Sequence, residues 1–147
     1  MIKRAFLHLV VIILALSSCA QTNGSQEKNE LLKNRKTKEN MDLTKITNEI
    51  VKSAIEALQA NDKILWYSYF TKDAVFTDDG RTLDFKSFFD NAFDKKEKFL
   101  TIDKVENDGT HIFGNFYAGQ WGTFNVYFKF TINAENKIER LDIGQGK

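Results

Sequence analysis

Two side chains in the second half of this chain are suited to proton transfer: Asp78, at the head of Asp78-Asp79-Gly80, and His111. A carboxyl on the wall of an apolar cleft can give or take a proton near neutral pH, because exclusion of water disfavours its charged form. A histidine needs almost no shift to do the same. Each residue also has a plainer reading. Asp-Asp-Gly is turn chemistry in its own right, and a histidine just past a hairpin commonly faces solvent. Trp66, Tyr67, Phe88, Tyr117, Trp121 and Phe128 are suited to lining a cleft for a small apolar ligand, although aromatics at helix or strand periods are usually core. His8 and His111 are the only histidines, so no histidine-rich metal site is expected. There is no glycine-rich phosphate loop and no serine–histidine–aspartate signature. No cofactor is implied.

The elements that must position these residues are legible from spacing. Leu43, Ile46, Ile50, Ala54 and Leu58 recur three or four apart, which predicts a helix over residues 42–60. Asn61-Asp62 breaks it, and an aromatic-rich second helix follows over residues 64–70. Residues 74–77 read as a short strand ended by Asp-Asp-Gly. Asp84 can cap a third helix with Phe85, Phe88, Phe89 and Phe93 on one face. The period then changes to two. Residues 99–106 and 111–118 read as strands around an Asn-Asp-Gly hairpin turn. Residues 123–132 alternate: Phe124, Val126, Phe128, Phe130 and Ile132 point one way, and Thr123, Asn125, Tyr127, Lys129 and Thr131 the other. Residues 137–143 close the sheet. Three helices followed by an antiparallel meander make an α+β domain.

Charge and the N-terminus narrow the setting. From residue 42 onward the chain carries 14 Lys and Arg against 17 Asp and Glu, so the basic excess of a nucleic-acid binder is missing. Lys3 and Arg4 precede an apolar run over residues 5–16, then Ser17, Ser18 and Cys19, the only cysteine. This is the layout of a secretory signal, too short to span a bilayer as a helix. Leu16-Ser17-Ser18-Cys19 resembles the bacterial lipobox. That resemblance implies removal of residues 1–18 and fatty acylation (palmitate-like chains) of Cys19, which anchors the protein in the cell envelope outside the cytoplasm. Ala20 after the cysteine favours the outer over the inner membrane. Residues 19–41 are then the lipidated cysteine and a polar tether with too little apolar surface for a core. Residues 42–147 are the domain.

Two stretches carry a wider resemblance. Phe70–Gly80 (F-T-K-D-A-V-F-T-D-D-G) and Phe130–Asp142 (F-T-I-N-A-E-N-K-I-E-R-L-D) resemble the nuclear transport factor 2-like (NTF2-like) superfamily. It includes ketosteroid isomerases and SnoaL-like polyketide cyclases. The resemblance implies a cone, with three N-terminal helices packed on a curved antiparallel sheet. It also implies a homodimer through the sheet face bearing Asn125, Tyr127 and Lys129. In the isomerase branch Asp78 falls on the general base, but the two oxyanion donors of that branch fall on Ala54 and Phe128. Loss of both removes what is usually the largest catalytic contribution, so steroid isomerisation is disfavoured. Three readings remain. The favoured one is a membrane-tethered module that binds a small apolar ligand or a protein partner. The alternative is a cyclase, isomerase or dehydratase that uses Asp78 and His111. The third is a structural domain whose phenylalanines fill the cone. A cavity of about 300 Å³ or more with Asp78 on its wall favours chemistry; an apolar cavity without it favours binding.

Overall fold

The computed structural model describes residues 41–146. The signal, Cys19 and the tether before Met41 lie outside the described residues. A 3-10 turn, Leu43–Lys45, leads into helices α1 (Glu49–Gln59), α2 (Lys63–Ser68) and, after the first strands, α3 (Phe85–Asp94). The strands are β1 (Phe70–Asp78), β2 (Arg81–Thr82), β3 (Lys98–Phe99), β4 (Lys104–Glu106), β5 (His111–Tyr117), β6 (Thr123–Ile132) and β7 (Ile138–Gln145). Among the described residues no helix is long and apolar enough to cross a membrane.

The first helix is shorter than its apolar stripe predicts. Asn48 breaks it by accepting the backbone N–H groups of Ile50 and Val51, each at 3.1 Å. Its amide oxygen offers the donors at a helix start a partner the helix itself lacks. A tertiary contact holds the break. Gly109, at the tip of the β4–β5 hairpin with φ +86°, packs against Thr47 and Asn48 so closely that a Cβ would collide with the Asn48 backbone. The α1 C-terminus is a Schellman closure in which Asn61 takes a positive φ and Asp62 N–H donates to Ala57 O at 2.9 Å. Asp62 then caps α2 through Leu65 N–H (2.9 Å). Asp84 caps α3 as its position predicts, accepting from Ser87 N–H at 2.7 Å.

The helices pack on a curved mixed sheet of order β2-β1-β7-β6-β5-β3, with β4 also paired to β5. β1 lies parallel to β7, whereas every other pairing is antiparallel. The fully antiparallel sheet expected from the meander is corrected at this one seam. That seam also extends β1 beyond the expected four residues, because the β7 backbone pairs with Phe70 at one end and with Val75–Asp78 at the other, across a register shift between them. The strand expected over residues 99–106 is divided into β3 and β4. Between them Leu100 and Thr101 both donate to Asn115 O. Gly114 makes that crossing possible, since a Cβ there would overlap the Thr101 carbonyl.

Two aromatic clusters form the core. Trp66, Phe70, Phe76, Phe85, Phe88 and Phe89 pack ring against ring between α2, α3 and β1. Phe99, Phe116, Phe128 and Phe130 form a second group on the sheet.

Candidate functional site

The two clusters do not meet everywhere. Between them lies a cavity of about 380 Å³, walled by Phe88, Phe89 and Ala92 of α3 and by Phe116, Phe124, Val126, Phe128 and Ile143 of the sheet. Asp78, Asp79, Glu97, Asn91 and Gln145 add polar groups to this wall, and Trp121 stands at its rim, 69% exposed. The phenylalanines therefore do not fill the cone. A second depression of about 590 Å³ is shallow, with polar walls that include Thr71, Asp73, Glu135 and Glu139.

Asp78 reaches the cavity through strand parity and a tight turn. Phe76 is buried and faces the helices, so Asp78, two residues on, faces the same way. Asp79 and Gly80 both take positive φ and form the two-residue loop of the β1–β2 hairpin, the geometry that Asp-Gly favours. Asp79 ties that loop to β7: its N–H donates to Ile143 O (3.0 Å) and its Oδ1 accepts from Gln145 N–H (3.0 Å). Gly144 leaves room for this contact, because a Cβ there would meet both Asp79 Oδ1 and the Tyr127 hydroxyl at 2.5 Å. Burial, and then the Asp79 carboxylate, push the Asp78 carboxyl above the ordinary aspartate range against a smaller pull from Arg81.

Glu97 is the residue that sequence reasoning missed. In Asp94-Lys95-Lys96-Glu97-Lys98 it reads as one charge in a solvated run. The structure instead closes α3 with a second Schellman motif. Lys96 takes φ +54°, Lys96 N–H donates to Phe93 O (3.0 Å) and Glu97 N–H donates to Ala92 O (2.9 Å). This places Glu97 where the motif usually sets an apolar side chain against the last helical turn. Gln59 fixes the chain just beyond, its amide both accepting from Phe99 N–H (2.8 Å) and donating to Phe99 O (3.0 Å). Glu97 is only 7% exposed, and its carboxylate has no hydrogen-bond partner among the described residues. Burial pushes it above the usual glutamate range, with Lys95 opposing. The signal available in the sequence was local: a helix ending one turn before an acidic residue that is followed at once by a strand.

Of the expected site residues, Asp78, Phe88, Trp121 and Phe128 come together on this wall. The others lie elsewhere. His111 pairs with Lys129, Lys129 with Asp142, and Asp142 with Thr77. Partners across a ladder share a face, so His111 is on the outer side of the sheet with Thr77, opposite to Asp78. Trp66 is fully buried in the first aromatic cluster. Tyr67 ties α2 to α3: its hydroxyl donates to Asp90 (2.9 Å), which also receives Lys63 (2.7 Å) and Lys86 (2.6 Å). Tyr117 ends β5 on the outer face, beside Lys98 and Thr123. Tyr127 is on that face too, under the Lys129 ammonium at 4.8 Å. At the two oxyanion positions, Ala54 is buried in α1 and Phe128 presents its ring to the cavity.

No family model and no curated protein matches the chain in sequence. Its structure is similar to an NTF2-like protein of unknown function from Cytophaga hutchinsonii, with TM-score 0.56 and 12% identity over 72% of this chain and 91% of that one. It is also similar to a Sinorhizobium meliloti protein proposed to be a polyketide cyclase, with TM-score 0.54 and 19% identity over 65% of this chain and 94% of that one. A third similar structure is the orange carotenoid protein of Anabaena (Nostoc) with canthaxanthin bound, with TM-score 0.51 and 20% identity over 71% of this chain but 38% of that one. With these neighbours and this helix and strand order, the described residues have the NTF2-like α+β fold.

Proposed function

We propose that this is a small-molecule-binding domain, held at the cell envelope through an acylated Cys19, whose cavity takes one compact and largely apolar ligand. The observation that carries the binding reading is the cavity of about 380 Å³ between the two phenylalanine clusters. That volume is in the range of ligand pockets, roughly 300–1,000 Å³, and interiors this densely packed do not leave such space by default. The canthaxanthin-bound neighbour is in keeping with it. 1-Naphthalenemethanol, a neutral fluorescent probe, should bind the full chain saturably at one site. Val126→Trp, which sends an indole into the cavity, should weaken that binding by at least about tenfold, or about 1.4 kcal/mol. Equal binding to both chains, or saturable binding to neither, would end the reading.

Acid–base catalysis is the second reading, because His111 lies on the opposite face of the sheet and Ala54 and Phe128 stand where the isomerase branch has its oxyanion donors. Asp78 on the wall of a cavity this size favours it. The proposed polyketide cyclase among the neighbours points the same way. Carboxyl-carbon NMR of the full chain should show Asp78 titrating above the ordinary aspartate value of about 3.9. A midpoint at or below that value would remove the case for Asp78 as an acid or base.

The anchor is a separate proposal, resting on Leu16-Ser17-Ser18-Cys19. Each acyl methylene that enters the bilayer contributes about 0.8 kcal/mol, so two or three chains hold a protein essentially permanently. Cys19→Ser should leave an uncut precursor that takes up no fatty-acid label. Equal labelling of both chains, or of neither, would rule the anchor out.

A further inference from the structure

The cavity wall carries three carboxylates, Asp78, Asp79 and Glu97, and among the described residues no lysine, arginine or histidine lines it. A buried carboxylate is ordinarily paired or hydrogen-bonded, because an uncompensated charge in an apolar setting is costly. Asp79 is exposed and accepts from Gln145 N–H, and Asp78 is half-buried across the hairpin from Arg81. Glu97 breaks this rule. It is more than nine-tenths buried and opens onto the cavity. It has no hydrogen-bond partner among the described residues, and Lys95, whose charge opposes the effect of burial, makes no ion pair with it. Its Oε1 and the aliphatic stem of Lys95 both lie against Gly119, whose positive φ and missing side chain leave them that place. Gly119 opens the short turn that ends at Trp121, the exposed indole on the same cavity. An indole face, and phenylalanine faces behind it, attract cations through the ring quadrupole.

We infer that the ligand is an organic amine with an apolar body, its ammonium held by Glu97 at the Trp121 end of the cavity and its body laid against Phe88 and Phe128. This rests on the binding reading above and adds the charge of the ligand. A bound ammonium supplies Glu97 with the ion pair and the hydrogen bonds that the protein withholds. A neutral ligand can offer Glu97 at most a hydroxyl hydrogen bond and no counter-charge, and anionic ones would meet three like charges.

Three probes with one apolar body and different charge test this on the full chain in a mild detergent: 1-naphthylmethylamine, 1-naphthalenemethanol and 1-naphthoate. At pH 7 the amine should bind at least about tenfold tighter than the alcohol, the low end for a hydrogen bond to a charged group, and the naphthoate weakest. Glu97→Gln should abolish the amine's preference over the alcohol while both still bind saturably, which also shows an intact pocket. In the unsubstituted chain the Glu97 carboxyl carbon should shift clearly further on adding amine than on adding alcohol, a readout that needs no variant. If the alcohol binds and the amine gains nothing over it, or the Glu97 carbon shifts no further with the amine than with the alcohol, the inference falls and the binding reading stands. If none of the three binds saturably, both fall.

Discussion

Trp66→Ala is expected to cost about 3–5 kcal/mol of folding stability, the range for deleting a large buried aromatic. This is a large share of the 5–15 kcal/mol that holds a typical domain together. Trp66 is fully buried, with ring centroids 4.8 Å from both Phe70 and Phe89. It thus joins α2 to β1 and α3 at once, and no single neighbour can collapse into the space it leaves. One effect works against this loss. The indole Nε1 has no hydrogen-bond partner among the described residues, and a buried unsatisfied donor costs about 1–3 kcal/mol. Removing the ring relieves that cost, but the lost contacts and the cavity outweigh it. Trp66→Phe separates the two effects: it keeps an aromatic ring and removes the orphaned N–H, and should cost less than about 2 kcal/mol. Urea unfolding followed by circular dichroism measures both variants. A Trp66→Ala chain no less stable than Trp66→Phe would show that Trp66 does not link the three elements.

Glu97→Met should move stability the other way, raising it by about 1 kcal/mol at pH 7, the low end for a polar group taken out of water, because methionine fills a similar volume and carries no charge into the wall. The sign of the pH dependence follows from the direction of the shift. Burial raises the native carboxyl above its ordinary value of 4.5, so the native state binds the proton more tightly than the unfolded chain. The contribution of Glu97 is therefore fully present below its unfolded pKa and is lost as pH rises through the native one. The advantage of methionine should be largest at neutral pH and shrink in acid. Asp78, also raised, acts in the same direction. Asp142, held down by Arg140 and Thr77, and Asp84, held down by Ser87, act in the opposite one. Their stabilisation is present above the unfolded aspartate pKa and is lost as pH falls through the native one. Neither is altered by the substitution, so both cancel in the difference between variant and parent. Unfolding at pH 7 and pH 4 tests this, and a destabilised Glu97→Met chain at pH 7 would mean that the carboxylate already has a compensating partner. The gain expected in stability marks Glu97 as a group held against the interest of the fold, as residues that serve a ligand often are.

What the sequence by itself determined was whatever depends on near neighbours along the chain. Asp79-Gly80 specifies a two-residue hairpin loop because both positions must take positive φ. Asp84 caps α3 because its carboxylate can reach a backbone N–H three residues on. The alternation from Thr123 to Ile132 places Phe128 inside and Tyr127 outside, since a strand has a period of two. Parity ties Asp78 to Phe76 in the same way, and the burial of Phe76 in the folded domain then turns both inward. The tertiary structure decided what depends on groups distant in the chain. The parallel seam between β1 and β7 joins strands some sixty residues apart, and nothing in either strand names the other. Gly114 divides the strand before it only because the Thr101 carbonyl crosses over it, and Gly109 holds the first helix open at Asn48 in the same manner. Most of all, Lys95-Lys96-Glu97-Lys98 has the composition of a solvated run. Only the Schellman closure of α3 on one side and the Gln59 clasp on Phe99 at the other turn Glu97 inward, because where a charge ends up depends on the backbone that carries it and not on the charges beside it.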